Sequence, residues 1–295
     1  MDALVVSAAG LLGSNVTAAA SGRDWSVAGT YHSTRPPFEI PLRQLDVRDR
    51  EAFRDVLDDH DPDVVVNCAA MTDVDECENR PDANARAPDE FAAICRDREV
   101  AFAHVSTDYV FDGTTEEPYD ETASPDPIQA YGESKLRGER GVRDAHPDAL
   151  VVRLSVVWGV DRTTNTLAGF PAWVRDRLRT GETTPLFTDQ HVTPSRAGAV
   201  ADTLLDLSVS GHAGLYHAAS RSCLTPYDFG TMLCDRLHAD ETLIRPGQQA
   251  DLDRPASRPQ HTCLDVAKVE QALERPQPTL AADLDAVSSL LYGSD

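Results

Sequence analysis

Residues 100–113, VAFAHVSTDYVFDG, and residues 131–139, YGESKLRGE, decide how this chain is read. An apolar, β-like run from Val100 to Val105 ends in two hydroxyls, Ser106 and Thr107. A polar, Pro-rich loop follows, and a helical pattern then begins with Tyr131 and Lys135 four residues apart. Residues at i and i+4 share a helix face, so this pair can enter one pocket. A strand-end hydroxyl facing a Tyr–Lys pair is a proton-donating arrangement for carbonyl reduction. An ammonium roughly 4 Å from the Tyr hydroxyl is worth about 4 kcal/mol at an effective dielectric near 20. That predicts a Tyr131 pKa lowered by up to about three units. Lys135 is one of only two lysines in the chain, the other being Lys268; most other cationic residues are arginine. A lysine here therefore suggests a need for a compact, flexible ammonium. Thr107, or Ser106, is placed to hydrogen-bond the substrate carbonyl.

Outward from this stretch, apolar runs alternate with helical patterns. ALVVS (3–7), SVAGTY (26–31), DVVVNCAA (63–70), VAFAHVS (100–106) and ALVVRLSVVWG (149–159) read as strands. Between them lie a helix from about Leu11 and a helix over DVRDREAFRDVLDDH with an apolar stripe of Val47, Phe53, Val56 and Leu57. Another contains Phe91, Ala92, Ile94 and Cys95. This alternation predicts an α/β fold, a Rossmann-type doubly wound parallel sheet. From about Asp161 the rhythm changes to mixed elements. We expect a dinucleotide-binding domain over 1–160 and a smaller mixed C-terminal substrate lobe over 161–295, with a soft boundary that the chain can cross back over.

Net charge is −22, from 49 acidic against 27 basic residues, and the carboxylates are scattered. Spread acidity of this kind suits a solvated, salt-adapted surface and a halophilic host. It argues against nucleic acid, since no basic stripe can neutralise phosphates. No signal-peptide pattern opens the sequence and no stretch approaches a membrane span, so a cytoplasmic protein is expected. The six cysteines are far apart and show no Cys/His pair at zinc-ligand spacing. Neither a disulfide nor a metal site is therefore expected, and Cys68 and Cys95 read as small core residues.

Gly10-Leu11-Leu12-Gly13 closes the first strand and opens the first helix. Glycines there let backbone approach a pyrophosphate at a helix N-terminus. A fuller fingerprint carries glycine where this chain has Ser7, which would be strained at positive φ. At the end of the second strand Arg35 is present and no carboxylate occurs from Thr30 to Arg35. That favours NADP(H) over NAD(H), because a carboxylate there would bind the ribose 2′-hydroxyl of NAD. Asp46-Val47 can meet the adenine, although Asp46 also suits a helix N-cap.

STDYVFDG (106–113) with YGESKLRGE (131–139) resembles the dTDP-4-dehydrorhamnose reductases of the extended short-chain dehydrogenase/reductase superfamily. NCAAMTDVDECE (67–78), DQHVTPSRAGAVADTLL (189–205), GLYHAASRSCLTPYDF (214–229) and RPQHTCLD (258–265) extend the likeness over most of the chain. The resemblance implies Thr107, Tyr131 and Lys135 as catalytic. It places Gly10, Leu11, Leu12, Asp46, Val47, Ala70, Met71 and Thr72 around the cofactor, and Thr107, Asp108 and Arg258 near a nucleotide-sugar substrate. Rhamnose-forming members often carry Trp three residues after the Arg equivalent to Arg153, where this chain has Val156. Val156 therefore marks where the sugar pocket can differ. The implied activity is NAD(P)H-dependent reduction of a nucleotide-linked 4-keto-6-deoxysugar, with a homodimer left open. Two alternatives share the framework: the non-catalytic regulatory subunit of methionine adenosyltransferase, and sugar-nucleotide dehydratases or epimerases. The dehydratases follow the Thr with Asp-Glu, whereas Thr107 precedes Asp108 and Tyr109.

Overall fold

Valine-rich runs with no polar alternation cannot leave a face in water, so they pair side by side and are covered by helices on both sides. The computed structural model describes residues 1–292. The first half runs β1 (Asp2–Val6), α1 (Leu11–Ser21), β2 (Ser26–Tyr31), β3 (Leu42–Gln44), α2 (Arg50–His60), β4 (Val64–Asn67), α3 (Val74–Asn79), α4 (Ala87–Asp97), β5 (Ala101–Thr107), α5 (Ala130–Ala145) and β6 (Leu150–Leu154). Then follow β7 (Val157–Asp161), β8 (Thr166–Ala168), α6 (Phe170–Arg179), β9 (Thr184–Phe187), β10 (Ser195–Arg196), α7 (Ala197–Val209), β11 (Gly214–His217), α8 (Pro226–Leu237), β12 (Ile244–Gly247), α9 (Ala267–Leu273), α10 (Leu280–Ala286) and α11 (Ser288–Tyr292).

The main sheet has seven strands in the order β11-β6-β5-β4-β1-β2-β3, and every neighbouring pair is parallel. Strands β1 to β6 thus take the 3-2-1-4-5-6 order of a Rossmann fold, with β11 added outside β6. The order reverses between β1 and β4, which opens a crevice at their carboxyl ends. One face of the sheet packs on Val16 of α1 and Val200 and Leu204 of α7. The other packs on Phe53, Phe91, Ile94 and Val142 of α2, α4 and α5, with the Phe53 and Phe91 rings stacked 3.7 Å apart. A separate apolar cluster of Trp158, Phe229, Leu233 and Leu284 organises the C-terminal elements around two small sheets, β10-β7-β8 and β12-β9. After β8 and β9 the chain returns to the main sheet through α7 and β11.

Three expectations are corrected. The run 149–159 is two strands, because the backbone turns at Ser155–Val156, where Val156 has a φ of 38°. Helix α2 begins at Arg50 rather than near Asp46, since Asp49 caps it by accepting from the Glu51 and Ala52 N–H groups. This leaves Asp46 and Val47 in a loop. Finally, Cys223 and Cys263 form a disulfide. Chain pairing brings together two residues 40 positions apart, a proximity that linear spacing cannot reveal.

Ser7 adopts a φ of 67°, the left-handed backbone anticipated for the glycine it replaces. The closest approach of α1 to the end of β1 falls instead at Gly13, where a Cβ would sit 2.1 Å from the Ser7 carbonyl oxygen. A Cβ at Gly10 would lie 3.5 Å from its nearest neighbours, at an ordinary φ of −74°. Gly13→Ala is therefore expected to cost about 1–3 kcal/mol of stability from overpacking. Gly10→Ala should stay within about 0.5 kcal/mol of the parent. Denaturant unfolding in high salt checks both.

Candidate active site

Strand β5 delivers Thr107 to the carboxyl edge of the sheet, and α5 brings Tyr131 and Lys135 over the same edge. Gln129 caps α5 by accepting from the Gly132 N–H, which fixes where the helix starts. Gly132 must be small, because a Cβ there would lie 2.0 Å from the Tyr109 carbonyl oxygen. Thr107, Asp108, Tyr131, Lys135 and Val156 line one cavity of about 430 Å³ together with Ser7, Gly10, Leu11, Leu12, Gly13, Ala70 and Thr72. It adjoins a second cavity of about 450 Å³, which contains Asp46, Val47 and Met71 and shares Ser7 and Ala70 with the first. The structure thus brings together most of the residues singled out in the sequence.

Two of them lie elsewhere. Arg35 is exposed, donates to the Leu42 carbonyl at 3.4 Å and rests against the Tyr31 ring. The arginines lining the second cavity are Arg48 and Arg80. Arg48 is bound to the Asp46 carboxylate, whose pKa it holds well below the usual range. Arg258 donates to Asp75 at 3.1 Å and to the Ala256 carbonyl at 2.8 Å, which ties the C-terminal lobe to α3.

Asp108 is only 2 % exposed and gathers three hydroxyls: Ser155 at 2.7 Å, Thr262 at 2.6 Å and Thr107 at 3.0 Å. Burial nevertheless dominates and pushes its pKa up to about 6, with the three hydroxyls opposing. Lys135 donates to the Val105 carbonyl at 2.6 Å. Burial pulls its pKa down to about 8, against the attraction of Glu139. The Tyr131 hydroxyl is pushed up by burial, and the Thr107 hydroxyl offsets only part of that. This overturns the expected lowering by Lys135: desolvation governs Tyr131 and its net effect is upward. A Tyr that keeps its proton at neutral pH is a donor, the form that carbonyl reduction consumes.

Below the cavity, Glu139 accepts from Arg153 at 2.6 and 3.0 Å and from Ser106 at 3.0 Å, with both charged side chains 2 % exposed. On the C-terminal side a third cavity, about 400 Å³, shares Tyr109 and Val156 with the first. Its wall is mainly apolar (Phe170, Trp173, Leu186, Phe187) with Gln190 and Arg254 among its polar groups. Gln190 donates to the Tyr109 hydroxyl at 3.3 Å, and Arg254 stacks over Phe187 at 4.9 Å. Sequence reading missed Tyr109, Gln190, Arg254, Ser155 and Thr262. Tyr109, Gln190 and Thr262 sit inside the stretches 106–113, 189–205 and 258–265 that carry the resemblance, but nothing local singled them out there; Ser155 and Arg254 lie outside those stretches.

The model of the RmlD substrate binding domain family matches residues 1–291. The chain belongs to that family. It is 51 % identical over 293 residues, 98 % of each chain, to a probable low-salt glycan biosynthesis reductase of Haloferax volcanii. It is 35 % identical to a dTDP-4-keto-6-deoxy-D-glucose reductase of Streptomyces niveus, over 88 % of this chain and 87 % of that one. A crystal structure of dTDP-4-dehydrorhamnose reductase from Bacillus anthracis in complex with NADP shares the fold, with a TM-score of 0.86 at 21 % identity over 97 % of both chains. As an RmlD family member whose relatives are named reductases, the protein is an oxidoreductase. No helix among the described residues is long and apolar enough to cross a membrane.

The raised pKa of Asp108 has a definite sign in stability. The folded chain holds this proton more tightly than the unfolded chain does. Its contribution to stability is therefore fully present below the ordinary carboxylate pKa and is lost as pH rises through about 6. Asp108→Asn removes that titration. The stability of the variant minus that of the parent is expected to rise by up to about 3 kcal/mol between pH 4 and 7. Urea unfolding at matched high salt reads the difference, and a flat difference would refute the assignment.

Proposed function

We propose that this protein reduces the 4-keto group of a nucleotide-linked 4-keto-6-deoxysugar, with dTDP-4-dehydrorhamnose, giving dTDP-rhamnose, as the first candidate. The observation that carries the reading is the shared wall. Thr107, Tyr131 and Lys135 line the cavity that begins at the Gly10–Gly13 turn and that continues, through Tyr109 and Val156, into the apolar third cavity.

A dinucleotide fits the first two cavities. Helix α1 has no side-chain cap at Gly10, so its first N–H groups are free to meet a pyrophosphate. Ala70, Met71, Asp46 and Val47 would flank the adenosine half, and Thr107, Tyr131 and Lys135 the nicotinamide half. NADPH, when bound, supplies the hydride. Arg48 and Arg80 in the adenosine cavity support NADP(H) over NAD(H), the role first given to Arg35. The NADP held by the Bacillus anthracis relative points the same way.

The chain's own groups do the rest. Tyr131 Oη carries the proton that neutralises the alkoxide forming at C4. Thr107 Oγ1 rotates from Asp108 to the substrate oxygen and stabilises its developing charge. Asp108, held by Ser155 and Thr262, keeps that hydroxyl in place until then. Lys135, anchored on the Val105 carbonyl, supplies a positive charge beside the site. Burial removes water from around these dipoles and strengthens them. The sugar would lie at Tyr109 and Val156, with the nucleotide in the apolar cavity near Gln190 and Arg254.

Purified protein in high salt is expected to oxidise NADPH when given dTDP-4-keto-6-deoxysugar. Tyr131→Phe should lower kcat by about 10²–10⁴-fold, the usual scale for a general acid, while leaving NADPH affinity intact. Undiminished turnover in that variant would sink the mechanism. For the cofactor, Arg48→Ala or Arg80→Ala should raise KM for NADPH about 10-fold, as expected for a lost charged hydrogen bond, with little change for NADH. Arg35→Ala should change neither; initial rates with both cofactors decide.

A further inference from the structure

Three segments meet beside Asp108, which Thr262 of one of them contacts at 2.6 Å. The segment at 191–193 lies between 223–224 and 260–264 and bonds to both. Val192 and Leu224 exchange two backbone hydrogen bonds of 3.0 Å, His191 donates to the Gln260 carbonyl at 2.7 Å, and Thr262 donates to the His191 carbonyl at 2.9 Å. Leu264 N–H donates to Thr193 Oγ1 at 3.2 Å. This lattice brings Cys223, Cys263 and His261 together, with one sulfur or nitrogen atom from each within 4.8 Å of the others. His261 Nε2 lies 3.6 Å from Cys223 Sγ. The other ring nitrogen, Nδ1, is buried without a partner among the described residues. The His191 ring stacks on that of His261 at a centroid distance of 5.3 Å.

We propose that, once the Cys223–Cys263 disulfide is reduced, these two sulfurs and His261 form a site for a soft divalent metal of the zinc class. The residue types are those of three-ligand zinc sites, two thiolates and an imidazole, with a fourth position left to solvent. That position falls on the side of Cys223, which is exposed, whereas Cys263 is buried and His261 partly buried. Reduction consumes one external dithiol. The dithiol becomes a disulfide, two electrons pass to the Cys223–Cys263 bond, and each sulfur takes a proton. Metal binding then displaces those two protons and forms two metal–sulfur bonds. On metal binding the sulfurs would stand about 3.7 Å apart, the span of a tetrahedral centre with metal–sulfur bonds of ~2.3 Å.

The disulfide and the metal therefore exclude one another, and the pair acts as a redox-gated site. It borders the catalytic centre, since Thr262, between two of the ligands in sequence, donates to Asp108 at 2.6 Å. The inference does not depend on which sugar is reduced.

Its test uses the full chain in high salt, reduced anaerobically with a dithiol, desalted and titrated with Co²⁺ as probe. One Co²⁺ per chain is expected, with the strong sulfur-to-cobalt charge-transfer absorption that carboxylate-bound Co²⁺ lacks, and Zn²⁺ should displace it. Cys223→Ser and the oxidised protein should both lose that absorption while keeping a folded circular dichroism spectrum. His261→Ala should keep thiolate absorption but bind at least 10-fold more weakly. Four outcomes would overturn the proposal: no charge-transfer band, an unchanged band in Cys223→Ser, unweakened binding in His261→Ala, or a disulfide that yields only when the chain unfolds.

Discussion

The buried pair of Glu139 and Arg153 is the constraint on which the active face depends. Tyr131, Lys135 and Glu139 follow one another at four-residue intervals on α5, so fixing one of them fixes the rotation of the whole stripe. Glu139 is fixed by two bonds from Arg153 of β6 and one from Ser106 of β5. The Arg153 guanidinium also lies 5.0 Å over Phe111, whose ring stacks on Tyr119 at 4.0 Å. One ion pair thereby joins a helix, two strands and the loop after β5. Replacing such a pair by apolar residues is often neutral or stabilising, so stability alone does not account for it. Its clearest consequence is orientation: the next two residues up the stripe are carried into the cavity.

That placement sets the electrostatics. The chain carries a net charge of −22, yet Asp108, Tyr131 and Lys135 line a cavity withdrawn from the acidic surface. Desolvation becomes the largest influence on Asp108, Tyr131 and Lys135 alike, and in each case it favours the neutral form. Lys135 would lose its charge more readily still without Glu139 beside it. The same carboxylate thus holds the helix in register and keeps the ammonium charged. Salt screens surface charges over about 8–10 Å, but it reaches buried groups far less. Groups placed this way respond to ionic strength less than the acidic surface does.

Much of the fold was legible because its signals are local. Apolar runs without alternation gave the parallel strands, and the i, i+4 spacing gave the Tyr–Lys face. Failures came where the deciding partner is distant in sequence. Arg35 had the right position in the chain, but the backbone after β2 turns it onto Leu42 and leaves Arg48 and Arg80 at the cavity. Arg258 fell to Asp75, 183 residues away. Cys223 and Cys263 are brought together by the 191–193 segment, whose backbone bonds to both flanking segments no spacing rule encodes. The Tyr131 pKa failed for another reason: a Coulomb argument between two residues omits the burial of both, and burial is the larger effect here.

The break between β6 and β7 shows how one local distortion serves two sides of the site. A β-branched residue at positive φ is a genuine outlier, worth roughly 1–3 kcal/mol of strain. Val156 adopts this conformation and is held there by its neighbours. Ser195 N–H donates to the carbonyls of both Ser155 and Val156, and the Ser155 N–H donates back to Ser195 Oγ. The turn points the Ser155 hydroxyl inward to Asp108 at 2.7 Å and leaves Val156 in the wall shared by two cavities. A straight strand through 149–159 would put these adjacent side chains on opposite faces of the sheet. The strained turn lets one fix the acid beneath Thr107 while the other shapes the space beside it. That strained turn thus sits where, together with Tyr109, Val156 joins the first cavity to the third.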